Sequence, residues 1–240
     1  MSMHHLGRYQ EAVEALEQVI RVRPDDAVAH YSLGVAYGNL DRCEEASEAL
    51  KQAIRLKPDY ADAHYNLGVA CGKLCRWQEA VAAYKQAIRL KPYYADAHYN
   101  LGNAYGNLGR YQEAVAAYKR TIRIKPDDAE AHYNLGGAYG SLDRWDKGLE
   151  ALQQAIRLKP DYAEAHYNLG AAYGNLGRYQ EALEAFKQAL RLQPDDALAH
   201  FNLGRACLAL GDRGAALDEY DILRKLDPSK AGELFRLMYP

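Results

Sequence analysis

Seven prolines, Pro24, Pro58, Pro92, Pro126, Pro160, Pro194 and Pro228, stand 34 residues apart without a single insertion. The hexapeptide AHYNLG keeps the same interval, beginning at Ala63, Ala97, Ala131 and Ala165, with AHYSLG at Ala29 and AHFNLG at Ala199. A fixed period of this length means that each unit is one supersecondary element that cannot bury its apolar face alone and must stack on its neighbours. With Ala27 as position 1, full units run 27–60, 61–94, 95–128, 129–162, 163–196 and 197–230, after a half unit at 6–26 and before a last segment at 231–240. The expected organisation is a single array over 1–240.

Within a unit, positions 2–14 and 18–31 carry helix formers with apolar residues at helical spacing, and the proline falls where the second helix must stop. The unit is therefore a helical hairpin, with helices A and B. Gly109, Gly177 and Gly211 occupy position 15, where a left-handed backbone ends helix A; Asp41 and Asp143 there tolerate that backbone, and Cys75 is expected to be the most exposed thiol. Asp26, Asp128 and Asp196 are placed to cap the next helix A.

These units resemble the tetratricopeptide repeat family: in 163–196 its small and large positions are met by Leu169, Gly170, Tyr173, Ala182, Phe186, Ala189 and Pro194. The resemblance covers nearly the whole chain. It implies an all-α fold, an α-solenoid in which antiparallel hairpins form a right-handed superhelix with the A helices on its concave side. Departures bear on packing: His at position 4 in place of Trp, Cys71 and Cys207 in place of Tyr, Gly148, Thr121 and Leu223 in place of Ala.

At 100° per residue, positions 4, 7, 8 and 11 of helix A share one side, and positions 2, 5, 6, 9 and 13 the other. The first side must pack, so His30, His64, His98, His132, His166 and His200 read as packing residues. Equivalent residues in neighbouring repeats stand about 10 Å apart, too far to share a metal ion. Cys71 and Cys75 have no second ligand pair, and no phosphate loop or nucleophile elbow is present. No metal, no cofactor and no enzymatic activity are expected.

The opposite side carries a ladder: Tyr65, Tyr99, Tyr133 and Tyr167 at position 5, between Tyr31 and Phe201, and Asn66, Asn100, Asn134, Asn168 and Asn202 at position 6, after Ser32. Asp62, Asp96, Glu130 and Glu164 add acids at position 2, and Gly38, Gly72, Gly106, Gly140 and Gly174 leave a floor without side chains at position 12. A row of Asn amides can hold an extended chain by its backbone. The ladder looks like the one in the superhelical repeats of O-linked N-acetylglucosamine transferases, but Tyr-Asn also recurs in consensus-like repeats as a stable, soluble helix face. The acids are either a solvated face or a bias toward basic ligands. An aromatic position 5 and an acidic position 2 disfavour the chaperone-tail clamp, which uses Lys and Arg.

With 30 Lys and Arg against 32 Asp and Glu, no bulk field draws nucleic acid or a membrane surface. Lys51, Lys85, Lys119 and Lys187, with Arg55, Arg89, Arg123, Arg157 and Arg191, read as a solvated outer face of helix B. No apolar run reaches the roughly 18 residues a membrane helix needs, and four scattered cysteines suit a reducing compartment, so the cytoplasm is the expected location. The leading expectation is a non-catalytic module whose groove takes an extended or helical protein segment of neutral to basic character. One alternative is an assembly scaffold that forms homo-oligomers through repeat ends, where Tyr9, Val13, Leu16 and Ile20 are expected to lack cover and 231–240 to cap. Another is the targeting fragment of a larger enzyme such as a glycosyltransferase.

Overall fold

The computed structural model describes residues 3–239, with side chains from Gly7 onward; Met1, Ser2 and Pro240, which the expected array includes, lie outside the described residues. All regular structure among them is helical: α1 (Met3–Val22), α2 (Ala27–Asn39), α3 (Cys43–Leu56), α4 (Ala61–Lys73), α5 (Trp77–Leu90), α6 (Ala95–Asn107), α7 (Tyr111–Ile124), α8 (Ala129–Gly140), α9 (Trp145–Leu158), α10 (Ala163–Asn175), α11 (Tyr179–Leu192), α12 (Ala197–Ala209), α13 (Arg213–Leu226) and α14 (Pro228–Met238). The fold is an all-α solenoid. Its contacts divide into two compact units, Met1–Ile124 and Lys125–Pro240. In the first unit α2/α3, α4/α5 and α6/α7 pair as hairpins behind α1; in the second α8/α9, α10/α11 and α12/α13 do so, followed by α14.

Glycine at position 8 sets the distance between the two helices of a hairpin. A Cβ on Gly34 would lie 2.6 Å from Leu50 Cγ, and one on Gly68 or Gly102 would lie 2.5 Å from the ring of Tyr84 or Tyr118. Gly136 and Gly170 receive Leu152 and Phe186 in the same way. Each large side chain of helix B thus seats on bare backbone of its own helix A. Tyr at position 11 closes the other side of that seat: Tyr37, Tyr105, Tyr139 and Tyr173 are buried, with the guanidinium groups of Arg42, Arg110, Arg144 and Arg178 over their rings. Where Cys71 replaces the tyrosine, Arg76 turns instead to Glu44 at 2.8 Å.

From α2 to α13 the helix ends fall within one residue of the expected positions, except that α8 stops two residues early at Gly140. Position 15 is left-handed throughout, with φ of 59° at Asp41, 55° at Cys75, 54° at Asp143 and 70°, 71° and 81° at Gly109, Gly177 and Gly211. Cys75 is exposed, whereas Cys43, Cys71 and Cys207 are buried. Asp26, Asp128 and Asp196 cap α2, α8 and α12 through their carboxylates. Every repeated histidine sends Nε2 back to the carbonyl of the proline six residues earlier, at 2.8–3.0 Å, tying helix A to the turn that precedes it. The histidines are structural pegs.

Both ends depart from the simple period. Helix α1 starts at Met3 rather than at residue 6, and Val13 is 2% exposed, packed with Leu33, Tyr37 and Leu50, so it is covered; Tyr9, Leu16 and Ile20 are half-buried. The last helix starts at Pro228 rather than at residue 231, because Asp227 accepts from the amides of Ser229 and Lys230 and the proline fits the first helical turn. This register lets Leu234 of α14 reach Gly204, a Cβ on which would lie 2.7 Å from Leu234 Cδ2.

Two measurements check these placements. Cys75→Gly relieves an unfavourable left-handed residue and should raise stability by about 1 kcal/mol in denaturant unfolding. His200 differs from the other histidines in having acceptors at both nitrogens, Pro194 O and Glu219 Oε2, and the Glu219 hydrogen bond raises its pKa from the usual 6.5. A raised folded-state pKa stabilises most below the unfolded value and is lost as pH rises through the folded one. Glu219→Gln should therefore cost more stability at acidic pH, below 6.5, than at alkaline pH.

Candidate binding surface

On the face of helix A opposite the packing side, Tyr and Asn of successive repeats meet. Asn66 Nδ2 donates to Tyr31 Oη at 3.2 Å, Asn100 Nδ2 to Tyr65 Oη at 3.1 Å and Asn202 Nδ2 to Tyr167 Oη at 2.9 Å. Asn168 hydrogen-bonds Tyr133 in the same manner, and Tyr99 and Asn134 occupy the equivalent places on α6 and α8. Burial raises the pKa of Tyr31, Tyr133 and Tyr167 and keeps them neutral donors. Asn66 also donates to Asp62 O at 2.9 Å, so both of its amide protons are engaged within the chain.

A second aromatic column supports the first. Tyr60, Tyr94 and Tyr162, at the last position of their units, stack on Tyr31, Tyr65 and Tyr133 with centroids 4.7, 4.8 and 4.9 Å apart. Lys57, Lys91 and Lys159 lie over the outer rings. Lys91 also grips Asp62 at 2.7 Å, so this acid of the position-2 column is neutralised within the chain. Asp96, Glu130 and Glu164 hold the same place on α6, α8 and α10 and are exposed. The tyrosines at position 34 carried no periodic signal, since Asp26, Asp128 and Asp196 alternate with them.

Between successive A helices the surface opens into recesses of one construction. In the first unit a recess of 230 Å³ is lined by Gly38 and Leu50 of one repeat and Asn66 and Val69 of the next. The second unit has two, of 280 and 240 Å³, the first lined by Gly140, Leu152, Asn168 and Ala171 and the other by Gly174, Phe186, Asn202 and Arg205. The position-12 floor is open at Gly38, Gly106 and Gly174; at Gly72 and Gly140 the indoles of Trp77 and Trp145 come within 3.6 and 2.8 Å of where a Cβ would be. Position 9, which supplies Val69, Ala171 and Arg205, is the lining column that the sequence pattern did not single out.

A wider cavity of 540 Å³ lies behind, among α1, α2 and α3, with Leu33 and Tyr37 in its wall. Its acids are already partnered: Glu17 accepts from Tyr37 Oη, and Glu44, Glu45 and Glu48 pair with Arg76, Arg42 and Lys51. Among the described residues no helix is long and apolar enough to cross a membrane, and no group of three His, Cys, Asp or Glu side chains is placed to hold a metal ion.

Family models cover most of the chain. One described as "TPR repeat" matches residues 3–41, 39–74, 76–109 and 141–177, and two described as "Tetratricopeptide repeat" match 95–128 and 163–196, and 197–221. No curated protein sequence matches significantly. Among solved structures, MamA is 30% identical, with 68% of this chain and 98% of that one covered and a TM-score of 0.64. A MamA from Desulfovibrio magneticus RS-1 is 26% identical over 71% of this chain and 96% of that one, with a TM-score of 0.67. The C-terminal part of a TPR repeat-containing protein from Cytophaga hutchinsonii has a TM-score of 0.79 over 95% and 94% of the two chains at 17% identity, a likeness of fold alone.

Proposed function

The chain belongs to the tetratricopeptide repeat family, whose repeats are protein–protein interaction modules, and we propose that its Tyr/Asn face binds an extended or helical segment of another protein without catalysis. The supporting observation is the recurrence of one recess, glycine at its floor and asparagine at its mouth, between successive A helices. A Tyr–Asn pair carries the two functions a peptide unit needs, a phenol proton as donor and an amide oxygen as acceptor; at Asn202 that oxygen already accepts from Arg205. Rungs about 10 Å apart meet every third residue of a chain rising about 3.3 Å per residue, and the residues between point into the recesses.

The exposed Glu164 of the position-2 column favours a segment of neutral to basic character, and a net charge of −2 disfavours nucleic acid. Self-association is the second reading, supported by Phe235, Leu237 and Tyr239, which α14 leaves exposed. Asn100→Ala, Asn134→Ala and Asn168→Ala together should lower affinity for peptides selected from a random dodecapeptide library by about tenfold or more while helicity is kept, since each lost bond is worth about 1 kcal/mol. Unchanged affinity would refute the ladder as the binding element. A mass that rises with concentration in light scattering, without peptide capture, would favour self-association.

A further inference from the structure

The three recesses share glycine and asparagine but differ in charge at position 9 of the following repeat, which is Val69, Ala171 and Arg205 in turn. Position 9 reads Val35, Val69, Asn103, Gly137, Ala171 and Arg205, so a single charge enters it, in α12. That arginine stands at the mouth of the 240 Å³ recess, whose walls include Gly174, Tyr179 and Phe186. It does not swing freely. Tyr167 Oη accepts from Asn202 Nδ2 at 2.9 Å, and Asn202 Oδ1 accepts from Arg205 Nη1 at 3.2 Å, so a chain of two hydrogen bonds aims the guanidinium.

Among the described residues no carboxylate lies within ion-pair distance of Arg205, whereas Arg42, Lys73, Arg76, Lys91, Arg110 and Arg178 each pair with one. In the first unit's recess the cation in the lining is Lys73, at position 13 rather than 9, and it is held by Asp41 at 2.9 Å. The α10–α12 recess therefore couples an apolar wall to an oriented cation with no anion of its own.

We propose that this recess is the specificity subsite of the binding face, taking an aspartate or glutamate side chain of the bound segment against Arg205 while a neighbouring apolar residue packs on Phe186. It rests on the peptide-binding reading above and adds to it a polarity. A basic residue of the segment lies toward Glu164, which is exposed on α10, and an acidic one lies at α12, which fixes the direction in which the segment runs. A guanidinium fork is suited to a carboxylate, with two donors in one plane.

The test uses the full chain and a random dodecapeptide library fused at the peptide's C-terminus, so that no free terminal carboxylate is offered. Wild type should enrich peptides with an acidic residue at one fixed place beside an apolar one. Arg205→Glu, at an exposed position where folding is not at stake, should exchange that acid for Lys or Arg. Changing the acid of a selected peptide to its amide should weaken binding to wild type about tenfold and binding to Arg205→Ala little. Enriched peptides that depend on Asn168 but show no acidic place, and no exchange with Arg205→Glu, would overturn the subsite and leave the binding face standing. No enrichment at all would remove both. Binding only of synthetic peptides with a free C-terminal carboxylate would overturn the assignment to a side chain.

Discussion

The rest of the structure depends on a close approach at position 8 of helix A. In five hairpins a leucine or aromatic side chain of helix B sits where a Cβ would otherwise be, at 2.5–2.7 Å. A larger residue fits only if that side chain or its helix shifts, and packed interiors give little room for either. This seat fixes which side of helix A faces inward, and so which side is left for solvent and partners. In the last hairpin Leu234 of α14 takes the seat at Gly204, which gives the final helix a defined place although it has left the period.

Once the packing side is fixed, the opposite side becomes an ordered surface at little extra cost. Tyr–Asn bonds link successive A helices, and the stacked Tyr60, Tyr94 and Tyr162 brace the ladder tyrosines from behind. A partner that meets such a face does not have to order it first, and that ordering entropy is one of the main costs of association. The bonds that stiffen the array are thus the ones that hold its asparagines in place. Arg205 extends the same logic by one step, because its orientation comes from Asn202 and hence from Tyr167.

What was legible in the sequence was local. Proline spacing, Asp caps and the left-handed position 15 each depend on the chemistry of a few adjacent residues, and from α2 to α13 the helices fall within one residue of where those signals put them, save the early end of α8. Contacts made across a repeat were not legible. The Asn66–Tyr31 bond spans 35 residues, and the indole of Trp145 against Gly140 depends on how α8 and α9 cross, so neither follows from position alone. The start of α14 shows a local signal overriding the period. Position 31 is Lys, Arg or Gln in every earlier unit and Asp227 in the last, so only there does the residue before the proline act as a cap.

We place the partner segment on the Tyr/Asn face. The most direct measurement is a titration of the protein with a library-selected peptide, followed through the asparagine side-chain amide signals in nitrogen–proton NMR spectra. Saturable shifts of Asn66, Asn100, Asn168 and Asn202, with the outer-face residues Gln78, Gln112 and Gln180 unmoved, are predicted. Shifts confined to the outer glutamines would place the partner on helix B and contradict it.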